Sequence, residues 1–387
     1  VAQPEQAATT THSSSPEARM ARSKSEIHAT RKGPGSRRLA EQNPAQLREY
    51  TVWVQRRDDH PALAPLFDAV AEAPDDDGPR HVLADALLER GDARGEFISL
   101  QLLRARGQST PKQESRELVL LENHWRRWFI EVPGVGLGVT SALTSFHHFN
   151  RGFLRSCVLT PCGVGVDSPS WRMVERIDLS AADRGDAGEL AAPALTRLAV
   201  LTGLDAACLQ VVLSGPEKPA LRELGFAGPW LQADRGRQEQ RQVLALTRFP
   251  GLRVLRLSPG ARPFRHRADG LAWLFESPLP RQLERLVLWT ELPFDVAGTQ
   301  ALLEKHRLDR LRLELANTGV TLTLEGNELT VRFENESWLE QRAQSMRNLA
   351  PHFAPFPYRR FRVLVGEHRA TKEQLARLGD VFVAHAG

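Results

Sequence analysis

Between residues 61 and 130 the apolar residues recur at helical spacing. Leu63, Leu66, Phe67 and Val70 stand at i, i+3, i+4 and i+7, one face of a helix. The string Pro74-Asp75-Asp76-Asp77-Gly78-Pro79 then predicts a break and a new start, with an Asp as cap and Pro79 in the first turn. Val82, Leu83, Ala86 and Leu87 are the expected buried face of that second helix, Gly91 its stop and Asp92 the cap of a third. Phe97, Ile98 and Leu102, and later Leu118, Leu121, Trp125 and Trp128, continue the helical pattern. Gly holds three of the six residues 133–138, which read as a loop and a boundary.

From about residue 150 the period changes. A short segment recurs with apolar residues at its first, fourth and sixth positions. The copies are Leu154–Cys157–Leu159, Val174–Ile177–Leu179, Leu195–Leu198–Val200, Leu221–Leu224–Phe226, Leu252–Leu255–Leu257, Leu283–Leu286–Leu288 and Leu308–Leu311–Leu313. Their spacing is 20, 21, 26, 31, 31 and 25 residues. This matches the L-x-x-L-x-L core of leucine-rich repeats, whose units run about 20–29 residues. No copy carries the Asn or Cys that usually follows, and the spacing is uneven, so an irregular solenoid is expected. Helix-like pieces separate the copies at Gly203–Leu213, Asp269–Phe275 and Val296–His306.

Near the C-terminus the pattern breaks again. Val320–Leu324 and Leu329–Phe333 alternate apolar and polar across Glu325-Gly326-Asn327-Glu328, a hairpin signature. A helix over Trp338–Phe353, a strand over Phe361–Val365, a helix over Thr371–Leu378 and a last strand over Val381–Ala384 follow. Such an element covers the open end that a solenoid leaves. The predicted fold is thus α/β: an N-terminal helical module (49–132), an irregular leucine-rich-repeat-like solenoid (150–318) and a C-terminal cap containing a β-hairpin (319–387).

Residues 1–48 are Ala, Gln, Ser, Thr, Pro and Arg without apolar periodicity and read as a disordered basic tail. Its start, Val1 to Thr11, does not read as a secretory signal. Of 387 residues 25% are charged and 41% hydrophobic, with a net charge of +4, and no apolar run is long enough to cross a bilayer. Three cysteines, Cys157, Cys162 and Cys208, are too few and oddly numbered for a disulfide-stapled domain, and point to the cytoplasm.

The stretch from Ala73-Pro74-Asp75-Asp76-Asp77-Gly78-Pro79-Arg80 through Ala84-Asp85-Ala86 to Gly91-Asp92-Ala93-Arg94-Gly95-Glu96-Phe97-Ile98 resembles the bacterial repeat-companion domain, over about residues 61–105. That family often precedes leucine-rich-type repeats and has no established activity. The resemblance implies a module that accompanies repeats. Where the family usually has aromatics beside the Ala-Asp pair, this chain has Leu83 and Ala86.

Little in the sequence carries chemistry. Asp75, Asp76, Asp77, Asp85, Glu89 and Asp92 form the densest acidic cluster, yet acids at helix starts cap and pair with nearby bases, here Arg80, Arg90 and Arg94. His147-His148 lacks a third ligand at useful spacing, and the Gly134–Gly138 run lacks a dinucleotide-loop spacing. No catalytic, cofactor-binding or metal-ligating residue is assigned. The scattered tryptophans read as core or inter-repeat packing.

The residues between the repeat leucines are more informative. Third positions read Ser156, Arg176, Arg197, Glu223, Val254, Arg285 and Arg310; fifth positions add Arg256 and Arg312, and second positions Arg155, Arg222 and Arg253. Acids also occur there (Glu175, Asp178, Glu284, Asp309), so the pattern fits a self-paired surface as well as an acidic partner. The expected function is a non-catalytic protein–protein scaffold that binds through the concave face of the solenoid, using Arg176, Arg197, Arg253, Arg256, Arg285, Arg310 and Arg312. In the last three copies Arg253, Arg256, Arg285, Arg310 and Arg312 stand against only Glu284 and Asp309, five to two. A binder of nucleic acid or another anionic surface is the alternative, and a hydrolase hidden in the helical module ranks third.

Overall fold

A computed structural model describes residues 62–129, 148–158, 169–180, 188–229, 237–259, 268–290, 295–326, 328–353, 360–378 and 382. The tail 1–48, the 133–138 loop, His147, Cys162 and the expected last strand, apart from residue 382, lie outside the described residues.

Four helices come first: α1 Ala64–Glu72, α2 Gly78–Leu88, α3 Ala93–Ala105 and α4 Pro111–Phe129. Asp76 accepts from the Gly78 N–H at 2.8 Å, and Asp92 caps α3 through the Arg94 N–H at 2.9 Å. The buried face of α2 differs from the expected one. It is Arg80, Leu83, Ala84 and Leu87, while Val82 is 56% exposed. The spacing is still i, i+3, i+4, i+7, but the stripe is rotated because the aliphatic stem of Arg80 takes an inward position. Ile98 and Leu102 of α3 complete a small core with Leu83, Ala84 and Leu87, whereas Phe97 and Leu100 of the same helix join the main core.

A hairpin of β1 Phe149–Asn150 and β2 Phe153–Leu154 leads into an eleven-stranded sheet. In chain order the sheet contains β3 Ser156–Val158, β4 Arg176–Asp178, β5 Val200–Leu204, β6 Glu223–Ala227, β7 Val254–Ser258, β8 Arg285–Trp289 and β9 Arg312–Asn317, each parallel to the next. Between them run α5 Ala206–Ser214, α6 Arg237–Leu244, the short α7 Ala272–Phe275 and α8 Leu279–Gln282, and α9 Val296–Lys305. Then the direction changes. β10 Val320–Glu325 is antiparallel to both β9 and β11 Glu328–Phe333, which form the expected hairpin. α10 Glu336–Phe353 crosses over to β12 Arg360–Val365, parallel to β11, and β13 His368–Arg369 closes the edge before α11 Lys372–Leu378.

One row of inward side chains runs across the parallel strands: Cys157, Ile177, Leu201, Leu224, Leu255, Leu286 and Leu313. All are at most 2% exposed, and burying each side chain contributes about 1.5–3 kcal/mol in transfer terms. The row follows the sequence frame for the copies at Cys157, Ile177, Leu224, Leu255 and Leu286. It departs at two. In the third copy Leu201, not Leu198, takes the central place, and the register shifts between Leu201 and Leu204. Gly203 makes that shift possible: its φ is +76°, and a Cβ there would stand 2.3 Å from the Ser180 nitrogen. In the seventh copy Leu313 rather than Leu311 is central, since Leu311, Leu313 and Leu315 alternate without a break and the pairing to β8 decides among them. Among the described residues no helix is long and apolar enough to cross a membrane.

Candidate functional site

The helical module meets the sheet at the β1–β2 hairpin. Its two-residue turn, Arg151-Gly152, has positive φ at both positions (+50° and +86°), as a type I′ hairpin turn requires. Gly152 touches α3 so closely that a Cβ would lie 2.2 Å from Ile98 Cγ1. Its N–H donates to Gln101 Oε1 at 2.6 Å, and Gln101 Nε2 donates to buried Glu117 at 2.9 Å. Burial raises the Glu117 pKa, while Gln101 and Arg104 hold it down in part. Arg94, buried on α3, stacks over the rings of Phe67 (5.2 Å) and Phe153 (4.9 Å) and donates to the Gly152 carbonyl at 3.4 Å.

Beside this contact lies a polar cavity of about 220 Å³. Pro74, Asp75 and Arg80 line it from the helices, Asn150, Arg151, Phe153 and Arg155 from the hairpin, and Met173, Glu175 and Arg197 from the sheet entry. Arg197 forks Asp75 with two bonds of 2.9 Å and reaches Glu175 at 3.0 Å. This fork holds the Asp75 carboxyl below its usual range. Arg155 holds the other side of Glu175 at 2.6 Å. Arg151 reaches the Asp75 carbonyl at 3.2 Å and Asp77 at 3.3 Å. Arg80 donates to the carbonyls of Pro74 and Asp76, both at 2.6 Å, and its buried Nε has no hydrogen-bond partner.

On the outer face of the sheet, one transverse row reads Ser156, Arg176, Val200, Glu223, Val254, Arg285, Arg312. The next row brings Arg256 opposite Val287, and Val287 opposite Glu314. Arg176, Arg256, Arg285 and Arg312 therefore lie on the strand face. Arg253 sits just before β7, Arg310 is exposed in the turn before β9, and Arg197 precedes β5 and belongs to the cavity. The charge count also changes. Arg256 pairs with Glu223, Arg312 with Glu314 at 2.8 Å, Arg285 with the same Glu314 at 3.9 Å, and Arg253 with Glu284 at 3.6 Å. Glu223 and Glu314 thus join Glu284 and Asp309, so five arginines face four acids. Cross-strand register supplies acids that the individual segments do not contain. Arg176 is exposed and makes no ion pair among the described residues.

Trp289, expected in core or inter-repeat packing, is 44% exposed at the outward end of β8, opposite Ala316. Trp125, Trp128 and Trp171 are buried. Asp76 and Asp92 act locally on the first turns of α2 and α3, as expected of acids at helix starts, and three members of the cluster also pair at long range: Asp75 with Arg197, Asp77 with Arg106 and Arg151, Asp92 with Arg127. Among the described residues no group of three or more His, Cys, Asp or Glu could hold a metal ion. Cys157 and Cys208 are free, buried thiols, pushed up by burial to about 12 and about 11. The sequence offered a signal for the helical half of the cavity, the Pro-Asp-Asp-Asp string, but none for its partners on the hairpin. In comparisons with family models, curated proteins and solved structures, none matches this chain.

Proposed function

We propose that this chain is a non-catalytic, cytoplasmic protein–protein scaffold: a repeat-companion-type helical module followed by an irregular leucine-rich-repeat-like solenoid that binds through its outer strand face. The observation that carries this reading is Trp289, exposed at the outward end of β8 opposite Ala316 and on the same face as Arg285 and Val287. Interfaces are enriched in Trp and Arg at their energetic centres, and both are present on this face. Trp289 supplies the apolar anchor, while Arg176, Arg310 and Arg312 supply exposed guanidiniums that would meet acidic groups of the partner. The cross-strand glutamates fix the arginine positions and limit non-specific attraction to anionic polymers. This favours a protein over nucleic acid as the partner.

The test uses the full chain as bait in affinity capture from the native cell, beside a Trp289→Ser, Arg312→Glu variant whose fold is checked by circular dichroism. A folded variant should lose a defined set of captured proteins. Unchanged capture would overturn the proposal. Capture dominated by nucleic acid, with a steep fall as salt rises, would favour the anionic-surface reading instead.

A further inference from the structure

The junction cavity has an unequal charge balance. Four guanidiniums line it, from Arg80, Arg151, Arg155 and Arg197, against two carboxylates, Asp75 and Glu175. The two acids are held differently. The Glu175 side chain is 21% exposed and is gripped from both sides, by Arg155 and Arg197. The Asp75 side chain is 84% exposed and is held through its carboxylate by Arg197 alone. Asp75 therefore occupies a planar guanidinium fork that accepts carboxylates and phosphates with the same geometry. It does so from the solvent side, where a stronger ligand could displace it.

We propose that this cavity is a binding site for a small phosphomonoester dianion, and that Asp75 stands in the place of the phosphoryl group. The fork of Arg197 would pass from Asp75 to two phosphoryl oxygens. Arg151 already touches the Asp75 backbone, and Arg155 shares Glu175 with Arg197, so both stand next to the fork and can reach the remaining oxygen. A free monocarboxylate would only reproduce what Asp75 does, and Asp75 has the advantage of being tethered at the site. A dianion with three terminal oxygens offers more than Asp75: a second charge and a third acceptor, beside four guanidiniums that still exceed the carboxylates by one when Asp77, paired with Arg151 from outside the lining, is counted. Arg80 adds a fixed charge at the wall, since carbonyls rather than carboxylates receive its bonds. Phe153 and Met173 are nearly buried and leave only a small apolar patch in the wall, and about 220 Å³ limits an organic body to a few atoms beyond the phosphate.

The experiment is a titration of the full chain at constant ionic strength, read by calorimetry and by melting temperature. The probes are glycerol phosphate, inorganic phosphate, acetate and chloride. Either phosphate probe should bind and raise the melting point beyond the chloride control; tighter binding of glycerol phosphate identifies an ester, equal binding free phosphate. The effect should fade below pH about 6, where the phosphate becomes a monoanion. Asp75→Asn should bind several-fold more tightly, because the internal competitor has lost its charge. Arg155→Gln and Arg197→Gln should each lose most of the phosphate-specific shift; if Arg197→Gln does not fold, Arg155→Gln and Asp75→Asn decide. A cluster that only stabilises the fold would leave Asp75→Asn no tighter than the parent. That outcome overturns the proposal, as would an acetate or chloride response equal to that of phosphate.

Discussion

The helical junction and the outer sheet face both concentrate arginine, and they use it in opposite ways. At the junction Arg80 and Arg94 are buried, and their guanidiniums are directed at backbone carbonyls and aromatic rings. On the sheet Arg256 and Arg285 remain partly exposed and meet glutamates across the strands, and Arg312 meets Glu314 along its own strand. A buried arginine satisfied by carbonyls is fixed by shape: the carbonyls, the rings and the cavity must all be present before the charge is tolerable. An exposed cross-strand pair is fixed by register and contributes only about 0–1 kcal/mol. The first kind of arginine specifies how two elements dock. The second leaves a surface free to meet something else.

Four experiments would break or sharpen this contrast. The largest effect is expected at Gly152, where an alanine must adopt a left-handed backbone and push its Cβ against Ile98. Gly152→Ala should cost about 2–4 kcal/mol in chemical denaturation. A loss below half a kcal/mol would mean the hairpin is not locked against α3.

Arg94 comes next. Arg94→Ala removes the stem and the ring stacking and should cost ~2–4 kcal/mol, whereas Arg94→Met keeps the volume and should cost about 1 kcal/mol or less. Equal losses for the two would show that the charge, not the packed stem, holds the junction.

Glu117 tests the same region by pH. Its folded-state pKa is raised above the ordinary carboxyl value, chiefly by burial, so the native state takes up a proton before the unfolded chain does. Its contribution therefore opposes folding at neutral pH, and that opposition is relieved as pH falls through the raised value toward 4.5. Relative to Glu117→Gln, the parent should gain stability over that window. A difference that stays flat from neutral pH down to the ordinary carboxylate range would remove the assignment.

The smallest effect belongs to the sheet. Glu223→Gln should change stability by less than about 1 kcal/mol and lower its salt dependence slightly. A loss of several kcal/mol would show that the face is a structural network rather than an open surface.

The strands were legible because their inward residues are few and repeated: Ile177, Leu224, Leu255 and Leu286 sit where the period puts them. The frame failed where a local residue overrode the period. In the third copy β5 begins only at Val200, so Leu201 replaces Leu198 at the centre and Arg197 lies ahead of the strand, and Gly203 then admits a bulge before Leu204. The run Leu311–Leu313–Leu315 fits two frames, and only the pairing with β8 selects one, which moves Arg310 into a turn. The junction was half legible. The Pro74–Asp77 string marks a special turn, but Asp75 and Arg197 are 122 positions apart, and no local period relates them. Trp289 ends its strand facing outward, a direction set by register and not by composition.

The reversal at β9 and β10 has a consequence for length. A row of parallel strands joined by crossovers carries no instruction for how many there should be; each unit offers its successor the same edge. The tight turn after Asn317 interrupts that offer, because β10 returns at once along β9; beyond the hairpin α10 adds one more parallel strand, β12, before the antiparallel β13 closes the edge. The number of units is thus set at one end by a terminator rather than by the units themselves. A further helix-and-strand unit spliced between β7 and β8 would lengthen the array without altering the helical junction or the terminating hairpin.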